Sequence, residues 1–131
     1  MRVAAAEHLS GSASPTERTM AWLRQQGYTV DKVEHRVAFG RTTRDLFGFA
    51  DIVALKPGHC GVLAVQATTG PHLAERVAKV VGEPRAGLWR SCSNMIIVVG
   101  WAMRAWGETR HRWEPIIMLI TDHGPVNIAA L

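Results

Sequence analysis

Apolar and polar positions follow two different periods along this chain, and the change of period predicts where helices give way to strands. Ser14-Pro15-Thr16-Glu17 has the form of a helix start, with Ser14 as N-cap, proline in the first turn and glutamate at capping-box spacing. Met20 and Leu23 continue an apolar stripe at helical spacing, and Gly27 is a typical residue after a last turn. We therefore expect a first helix between Ser14 and Gly27.

The remainder of the chain predicts strands and two further helices. Apolar or alternating runs bounded by Gly and Pro predict strands at Tyr28–Ala38, Phe47–Leu55, Val62–Thr68, Met95–Val99 and Arg112–Thr121. Segments 70–81 and 85–93 predict helices, the second with Trp89 turned inward. A meander of three strands followed by a crossover helix and a buried strand indicates an α/β fold, with a mixed central β-sheet flanked by helices.

Length and composition predict one domain over residues 14–131, preceded by a flexible N-terminal arm over residues 1–13. The chain is 47% apolar and 20% charged, which is enough apolar material for a core and excludes a disordered tail. No apolar run approaches the roughly 20 residues of a membrane span. Cys60 and Cys92 lack CxxC spacing, so we expect two reduced thiols in a cytoplasmic protein that has no membrane partner.

The formal net charge of +4 suits a nucleic-acid partner, although many small proteins are equally basic. The chain has no Gly-rich phosphate loop and no GxSxG segment. Dinucleotide binding and serine-hydrolase chemistry are therefore excluded, and we expect no small-molecule cofactor.

Polar side chains interrupt two of the apolar runs at fixed places. Asp51 lies in the second predicted strand, and Gln66 and Thr68 lie two residues apart, hence on one face, in the third. An acid that faces a polar-x-polar pair across neighbouring strands is the arrangement of a metal-dependent phosphodiesterase site. A structural Asp51 paired with Arg41 or Arg44, beside a Gln66–Thr68 pair that satisfies the nearby backbone, is the alternative.

These residues carry a resemblance to a known family. The chain resembles the PD-(D/E)XK nuclease superfamily, and within it the small branch that includes archaeal Holliday junction resolvases and phage-borne nuclease-like proteins. The resemblance covers 14–100 and rests on Glu17, on the segments 48–54 and 63–68, and on the helix from His72 to Val81. It implies a restriction-endonuclease-like core of order α-β-β-β-α-β, and a DNA endonuclease that cuts phosphodiester bonds with Mg²⁺ or Mn²⁺.

The resemblance also implies roles for single residues. Asp51 corresponds to the family's metal-binding aspartate, and Glu17 corresponds to the helix acid near the metal, although a capping box explains Glu17 on its own. Gln66 stands where the family has an acid, and Thr68 stands where it has the catalytic lysine. The expected metal ligands are therefore Asp51, Glu17 and the carbonyl oxygen of Gln66. Arg76 or Lys79, on the polar face of the next helix, is a cation that could replace the missing lysine.

Basic side chains near these strands are candidates for phosphate contacts. Arg41 and Arg44 lie in the loop before the second predicted strand, and His72 and Arg76 lie on the polar face of the helix after the third. An ordinary surface loop and a solvated helix face are the alternatives. Because one small domain offers little surface to a DNA duplex, a homodimer is compatible with this function.

Aromatic side chains add a further basic segment. Trp101 and Trp106 lie in a short basic stretch with Arg104 and Arg110, which suits base stacking or an oligomer contact, while core packing is the alternative.

Two functions therefore stand side by side. The first is a metal-dependent DNA endonuclease, and the second is a catalytically degenerate nuclease fold that serves as a nucleic-acid-binding or assembly module. Gln66 and Thr68 separate the two functions, because a site that binds no metal favours the second.

Overall fold

The computed structural model describes residue 9, residues 11–37, residue 39 and residues 43–131. These residues form three α-helices, one 3₁₀ turn (Gly70–His72) and eight strands. The helices are α1 (Pro15–Gln25), α2 (Leu73–Val81) and α3 (Pro84–Ser91), and the strands are β1 (Thr29–Lys32), β2 (His35–Arg36), β3 (Thr43–Arg44), β4 (Ile52–Leu55), β5 (Leu63–Thr69), β6 (Met95–Trp106), β7 (Arg110–Thr121) and β8 (Gly124–Ile128).

Six of the strands form one curled mixed sheet in the order β1-β4-β5-β6-β7-β8. Among the described strands only β5 and β6 pair in parallel, and the chain between them passes through α2 and α3. A parallel neighbour requires such a crossover, whereas the antiparallel pairs are joined by turns or short segments. Strands β2 and β3 form a separate two-stranded hairpin. The predicted α/β class with a mixed sheet is confirmed.

Helices cover both faces of the sheet, which explains why β6 begins as an unbroken apolar run. Leu23 of α1 packs with Ile97 and Val99 on one face. Val80 of α2 packs with Val98 on the opposite face. Because successive strand residues point to opposite faces, a strand covered on both sides buries every residue in turn.

Helix α1 is held by local and tertiary polar contacts. The Ser14 hydroxyl accepts the Glu17 N–H at 3.1 Å, and the Glu17 carboxylate accepts the Ser14 N–H at 3.1 Å, so the predicted capping box is confirmed. Trp101 Nε1 donates to the buried Thr19 hydroxyl at 2.8 Å. This bond fixes the helix against β6 and satisfies both side chains inside the core.

The structure corrects several predicted strand boundaries. The first predicted strand, 28–38, is divided between β1 and β2, and the second, 47–55, begins only at Ile52, because Phe47 and Gly48 lie in a tight turn with φ of 52° and 76°. Strand β6 continues to Trp106 instead of stopping at Val99, because its pairing with β7 extends that far. Strand β8 was not predicted from the sequence.

Two further features bear on earlier expectations. Both cysteines are free and exposed. Within the described residues, the helices are too short or too polar to cross a membrane.

Candidate metal centre

The candidate site lies where β4 begins and β5 ends. Asp51 immediately precedes β4, and its backbone N–H donates to the Val65 carbonyl at 2.9 Å, which fixes it beside β5. The Asp51 residue is only 4% exposed. Its Oδ2 atom accepts two hydrogen bonds, from Gln66 Nε2 at 2.7 Å and from the Ala67 N–H at 3.0 Å. The predicted meeting of Asp51 with Gln66 across two neighbouring strands is therefore present.

A tight turn brings a second carboxylate to the same place. The chain reverses between Leu46 and Ala50, which form an antiparallel bridge, so Asp45 and Asp51 flank the turn. A Cβ atom at Gly48 would lie less than 3 Å from the Glu83–Arg85 ion pair, and φ there is +76°. The turn therefore favours glycine at this position because of its conformation, whereas the ends of the Glu83 and Arg85 side chains can move aside.

A third carboxylate comes from the segment after β1. The Val33 N–H donates to the Asp51 carbonyl oxygen at 2.9 Å, which brings Glu34 to the cluster. Carboxylate oxygens of Glu34, Asp45 and Asp51 all lie within 4.8 Å of one another. We call these three residues the acidic cluster.

Burial and neighbouring charges shift the pKa values of two members of the acidic cluster, Asp51 and Asp45. Burial, followed by hydrogen bonding to Asp45 and the negative charges of Asp45 and Glu34, raises the pKa of Asp51 to about 8. Burial alone would also raise the pKa of Asp45, but hydrogen bonds from Asp51 and Lys79 and the positive charges of Lys79 and Arg76 lower it overall. At neutral pH the proton therefore resides on Asp51 and the negative charge on Asp45.

The side-chain oxygen of Gln66, Oε1, is buried beside the acidic cluster without a hydrogen-bond partner among the described residues. The residue is 1% exposed. A buried acceptor without a partner costs about 1–3 kcal/mol. A cation beside Asp51 would supply a partner after a half-turn of the Gln66 amide, because that rotation exchanges Nε2 for Oε1.

An open cleft of about 270 Å³ gives access to the cluster. The three carboxylates and Gln66 line it, and its other walls carry hydroxyl groups and basic side chains, including Thr43, Thr68, His72 and Arg76. Negative groups that suit a cation and positive groups that suit a phosphate therefore face one space.

The remaining predicted site residues are distributed unevenly around the cleft. Lys79 Nζ lies 2.9 Å from Asp45 Oδ2, so this cation touches the acidic cluster. The Glu17 carboxylate is engaged in its own helix cap and is not a member of the cluster. Arg44 is exposed on β3 and is not among the described residues that line the cleft. Arg41 lies outside the described residues.

Sequence reasoning missed Glu34 and Asp45. A signal for Asp45 existed, because Asp45 and Asp51 flank a short segment that contains Gly48, and a reversal there would place the two acids side by side. Glu34 had no such signal, since its position depends on the pairing of β1 with β4.

Comparison of the chain with protein-family models, with curated proteins and with solved structures finds no significant match.

Proposed function

We propose that this protein is a metal-dependent nuclease with a restriction-endonuclease-like fold, which cleaves phosphodiester bonds in DNA. The observation that carries the proposal is the convergence of three carboxylates and a buried, unpartnered amide oxygen in a cleft that also presents basic side chains.

The residues fit a divalent cation of the Mg²⁺ or Mn²⁺ type. Such ions take oxygen ligands and need only one or two carboxylates when phosphate and water complete the shell. Asp51, Asp45 and Glu34 would supply the charged ligands, and Gln66 would supply a neutral oxygen. The negative charge that Gln66 lacks is therefore available from two residues outside the strand motif.

The cleft also contains groups suited to a phosphodiester. A bound divalent cation would polarise the phosphate and lower the pKa of an attacking water. Lys79, held against Asp45 at 2.9 Å, supplies a positive charge close to where the transition state becomes more negative. Arg76 and His72 line the wall and can bind phosphate oxygens, and Thr68 offers a hydroxyl group as a hydrogen-bond donor.

The order of elements agrees with this proposal. The β2–β3 hairpin can be counted as an insertion and α3 as an added helix. The chain then runs through α1, β1, β4, β5, α2 and β6. This is the order α-β-β-β-α-β that the family resemblance implies.

A catalytically degenerate binding module is the second candidate function. The closed network around Asp51 favours it, because Gln66 and Ala67 already donate to the carboxyl and Thr68 has no charge. A homodimer and a cytoplasmic location remain predictions under either function.

The test is cleavage of supercoiled plasmid and of branched DNA in Mg²⁺ or Mn²⁺, with metal binding measured by calorimetry on the same samples. We expect Asp51→Asn and Asp45→Asn each to lower the cleavage rate by roughly 100-fold or more, the magnitude typical of one lost electrostatic contact to a transition state. Asp31→Asn, an exposed acid on β1, is the matched control and should cleave like the wild type.

The outcomes separate the two candidate functions. An absence of both cleavage and metal binding in the wild type would reject the nuclease and leave the binding module. Full cleavage by Asp45→Asn beside an inactive Asp51→Asn would show that the acidic cluster is not the ligand set.

A further inference from the structure

The paired strands β6 and β7 extend well beyond the rest of the sheet. Their register runs continuously from Ile97 opposite Leu119 to Trp106 opposite Arg110. The partner of β6 on one side, β5, ends opposite Trp101, and the partner of β7 on the other side, β8, ends opposite Ile117. Residues 102–106 and 110–116 therefore form a two-stranded ribbon that pairs with no third strand among the described residues. We call this segment the ribbon.

One face of the ribbon is strongly basic. Residues directly opposite in an antiparallel pair share a face, and so do residues two apart on one strand. Arg104 lies opposite Arg112, and Trp106 lies opposite Arg110, so all four side chains lie on one face. The guanidinium carbons of Arg110 and Arg112 lie 5.5 and 5.7 Å from the Trp106 ring centre. This geometry holds two of the cations around an aromatic ring.

This arrangement does not serve the stability of the sheet. Like charges directly opposite each other in a sheet are destabilising. Among the described residues, the carboxylate of Glu114 forms ion pairs with two of these arginines, at 3.4 Å to Arg104 and 2.8 Å to Arg112, and Glu108 lies in the turn beside Trp106 and Arg110. Both arginine side chains are 57% exposed. Three arginines against Glu114 on this face and Glu108 in the turn still leave a surplus of positive charge that an anionic ligand would neutralise.

The basic face lies on the same side of the sheet as the candidate metal centre. Thr68 is in register with Gly100, so these two positions lie on one face of the sheet, together with Gln66, two residues before Thr68. Arg104 follows Gly100 by four residues and Trp106 by six, at about 3.3 Å per residue. The basic face therefore begins roughly 13 Å beyond the cleft and reaches roughly 20 Å beyond it, a span comparable with the width of a duplex.

We propose that the ribbon binds double-stranded nucleic acid through its phosphate backbone and aligns the duplex with the acidic cleft. The alignment rests on the proposed nuclease function, whereas binding by the ribbon can be tested without it. A two-stranded ribbon fits the major groove of B-form DNA, which is about 12 Å wide. Arginine is suited to phosphate because its planar fork can donate two parallel hydrogen bonds.

The test is fluorescence anisotropy with labelled 20-base-pair DNA and RNA duplexes, over a range of salt concentrations and in EDTA. We expect Arg104→Ala/Arg112→Ala to weaken binding about tenfold or more and to reduce the slope of log K against log salt by about 2, because two phosphate contacts are lost. Arg24→Ala/Lys56→Ala removes the same charge from the opposite end of the sheet and should change affinity less than about threefold. The DNA and RNA arms identify which duplex is preferred.

A variant that binds the duplex more tightly cannot be explained by misfolding, so a gain of affinity is a useful second test. Glu114→Gln removes the carboxylate that competes with phosphate for Arg104 and Arg112, so it should tighten duplex binding several-fold and steepen the salt dependence. Unchanged duplex binding in both Glu114→Gln and the double arginine variant would overturn the proposal. Binding of polyglutamate in place of duplex would also overturn it, in favour of an acidic protein partner.

The same samples separate this inference from the proposed function. Ribbon-dependent duplex binding without metal-dependent cleavage would uphold the ribbon and reject the nuclease. If the ribbon variants changed neither metal-dependent cleavage nor duplex binding, the nuclease would be upheld and the ribbon proposal rejected.

Discussion

Asp51→Asn should make the metal-free protein more stable above neutral pH, because asparagine resembles the protonated carboxyl and never ionises. The amide oxygen of an asparagine can still accept the hydrogen bonds that Gln66 and Ala67 donate to Asp51 Oδ2. Its NH₂ group would face the acidic cluster as a donor, in the place of the carboxyl proton. The substitution therefore keeps the local hydrogen bonds and removes only the ionisation.

The magnitude follows from the pKa of Asp51, which is raised from 3.8 to about 8 by burial first and then by Asp45 and Glu34. Between these two values the folded protein keeps a proton that the unfolded chain has lost, so the free energy of unfolding falls as pH rises from about 4 to about 8. At about 1.36 kcal/mol per pH unit the loss has an upper bound of about 6 kcal/mol. We expect about 3 kcal/mol, because relaxation around the ionised carboxyl weakens the repulsion.

The assay is urea unfolding in EDTA between pH 5 and 9, followed by tryptophan fluorescence, with wild type, Asp51→Asn and the exposed control Asp31→Asn. The stability difference between Asp51→Asn and wild type should grow up to about pH 8 and then level off, while Asp31→Asn should follow the wild type. Mn²⁺ at 100 times its Kd should then restore about 2.7 kcal/mol to the wild type but not to Asp51→Asn. A difference that does not vary with pH would refute the reasoning, since it would mean that folded Asp51 is ionised throughout.

Three further predictions use the same protein. Mn²⁺ binding at pH 7 should release close to one proton per ion, because the Asp51 carboxyl, whose pKa is raised, must lose its proton to bind the metal. Calorimetry in buffers of different ionisation enthalpy measures the number of protons released. A value of zero would contradict the prediction. Gln66→Glu should raise Mn²⁺ affinity about tenfold and lower the free energy of unfolding of the metal-free protein by about 2 kcal/mol, since it adds a buried carboxylate beside three others. A metal titration tests the first effect and a melting curve the second. Unchanged affinity would mean that the ion binds elsewhere. Gly61→Ala should lower the free energy of unfolding in urea by about 3 kcal/mol or more, because its Cβ would overlap the Ser93 carbonyl oxygen at a φ of +80°. Gly58→Ala, with a φ of +82° and open space around it, should lower it by about 1 kcal/mol. Equal losses would refute the argument from packing.

Elements with local signals were predicted well from the sequence. The capping box of Ser14 and Glu17 lies within one turn of helix, and the run 62–68 is bounded by turn residues, so both could be recognised without tertiary information. The start of β4 was misplaced because the turn at Phe47 and Gly48 lies inside an apolar stretch, where hydrophobicity resembles that of a strand. The end of β6 was missed because exposed ribbon residues carry no burial pattern, and their strand conformation comes from pairing with β7.

The candidate site shows the same division between local and tertiary information. Asp51 and Gln66 could be placed on facing strands from the alternation of side chains, and the structure confirms their contact at 2.7 Å. Asp45 and Glu34 reach the site through a turn and through strand register, which one-dimensional spacing does not contain. Glu17 has the residue type and the helix expected of a metal ligand, but its carboxylate is occupied by the helix cap.

An amide at Gln66 and a hydroxyl at Thr68 are therefore a weak argument against metal chemistry in this chain. A cation responds to the oxygens and charges within a few ångströms, whichever segment supplies them. Compared with the motif of the proposed nuclease family, Gln66 and Thr68 lack one negative and one positive charge. The structure places the carboxylates of Asp45 and Glu34 and the ammonium group of Lys79 around the same centre. Since Asp45 contacts both Asp51 and Lys79, its loss would disturb the acid and the cation together. Asp45→Asn is for this reason a more severe test of the proposed nuclease than any substitution at Gln66 or Thr68.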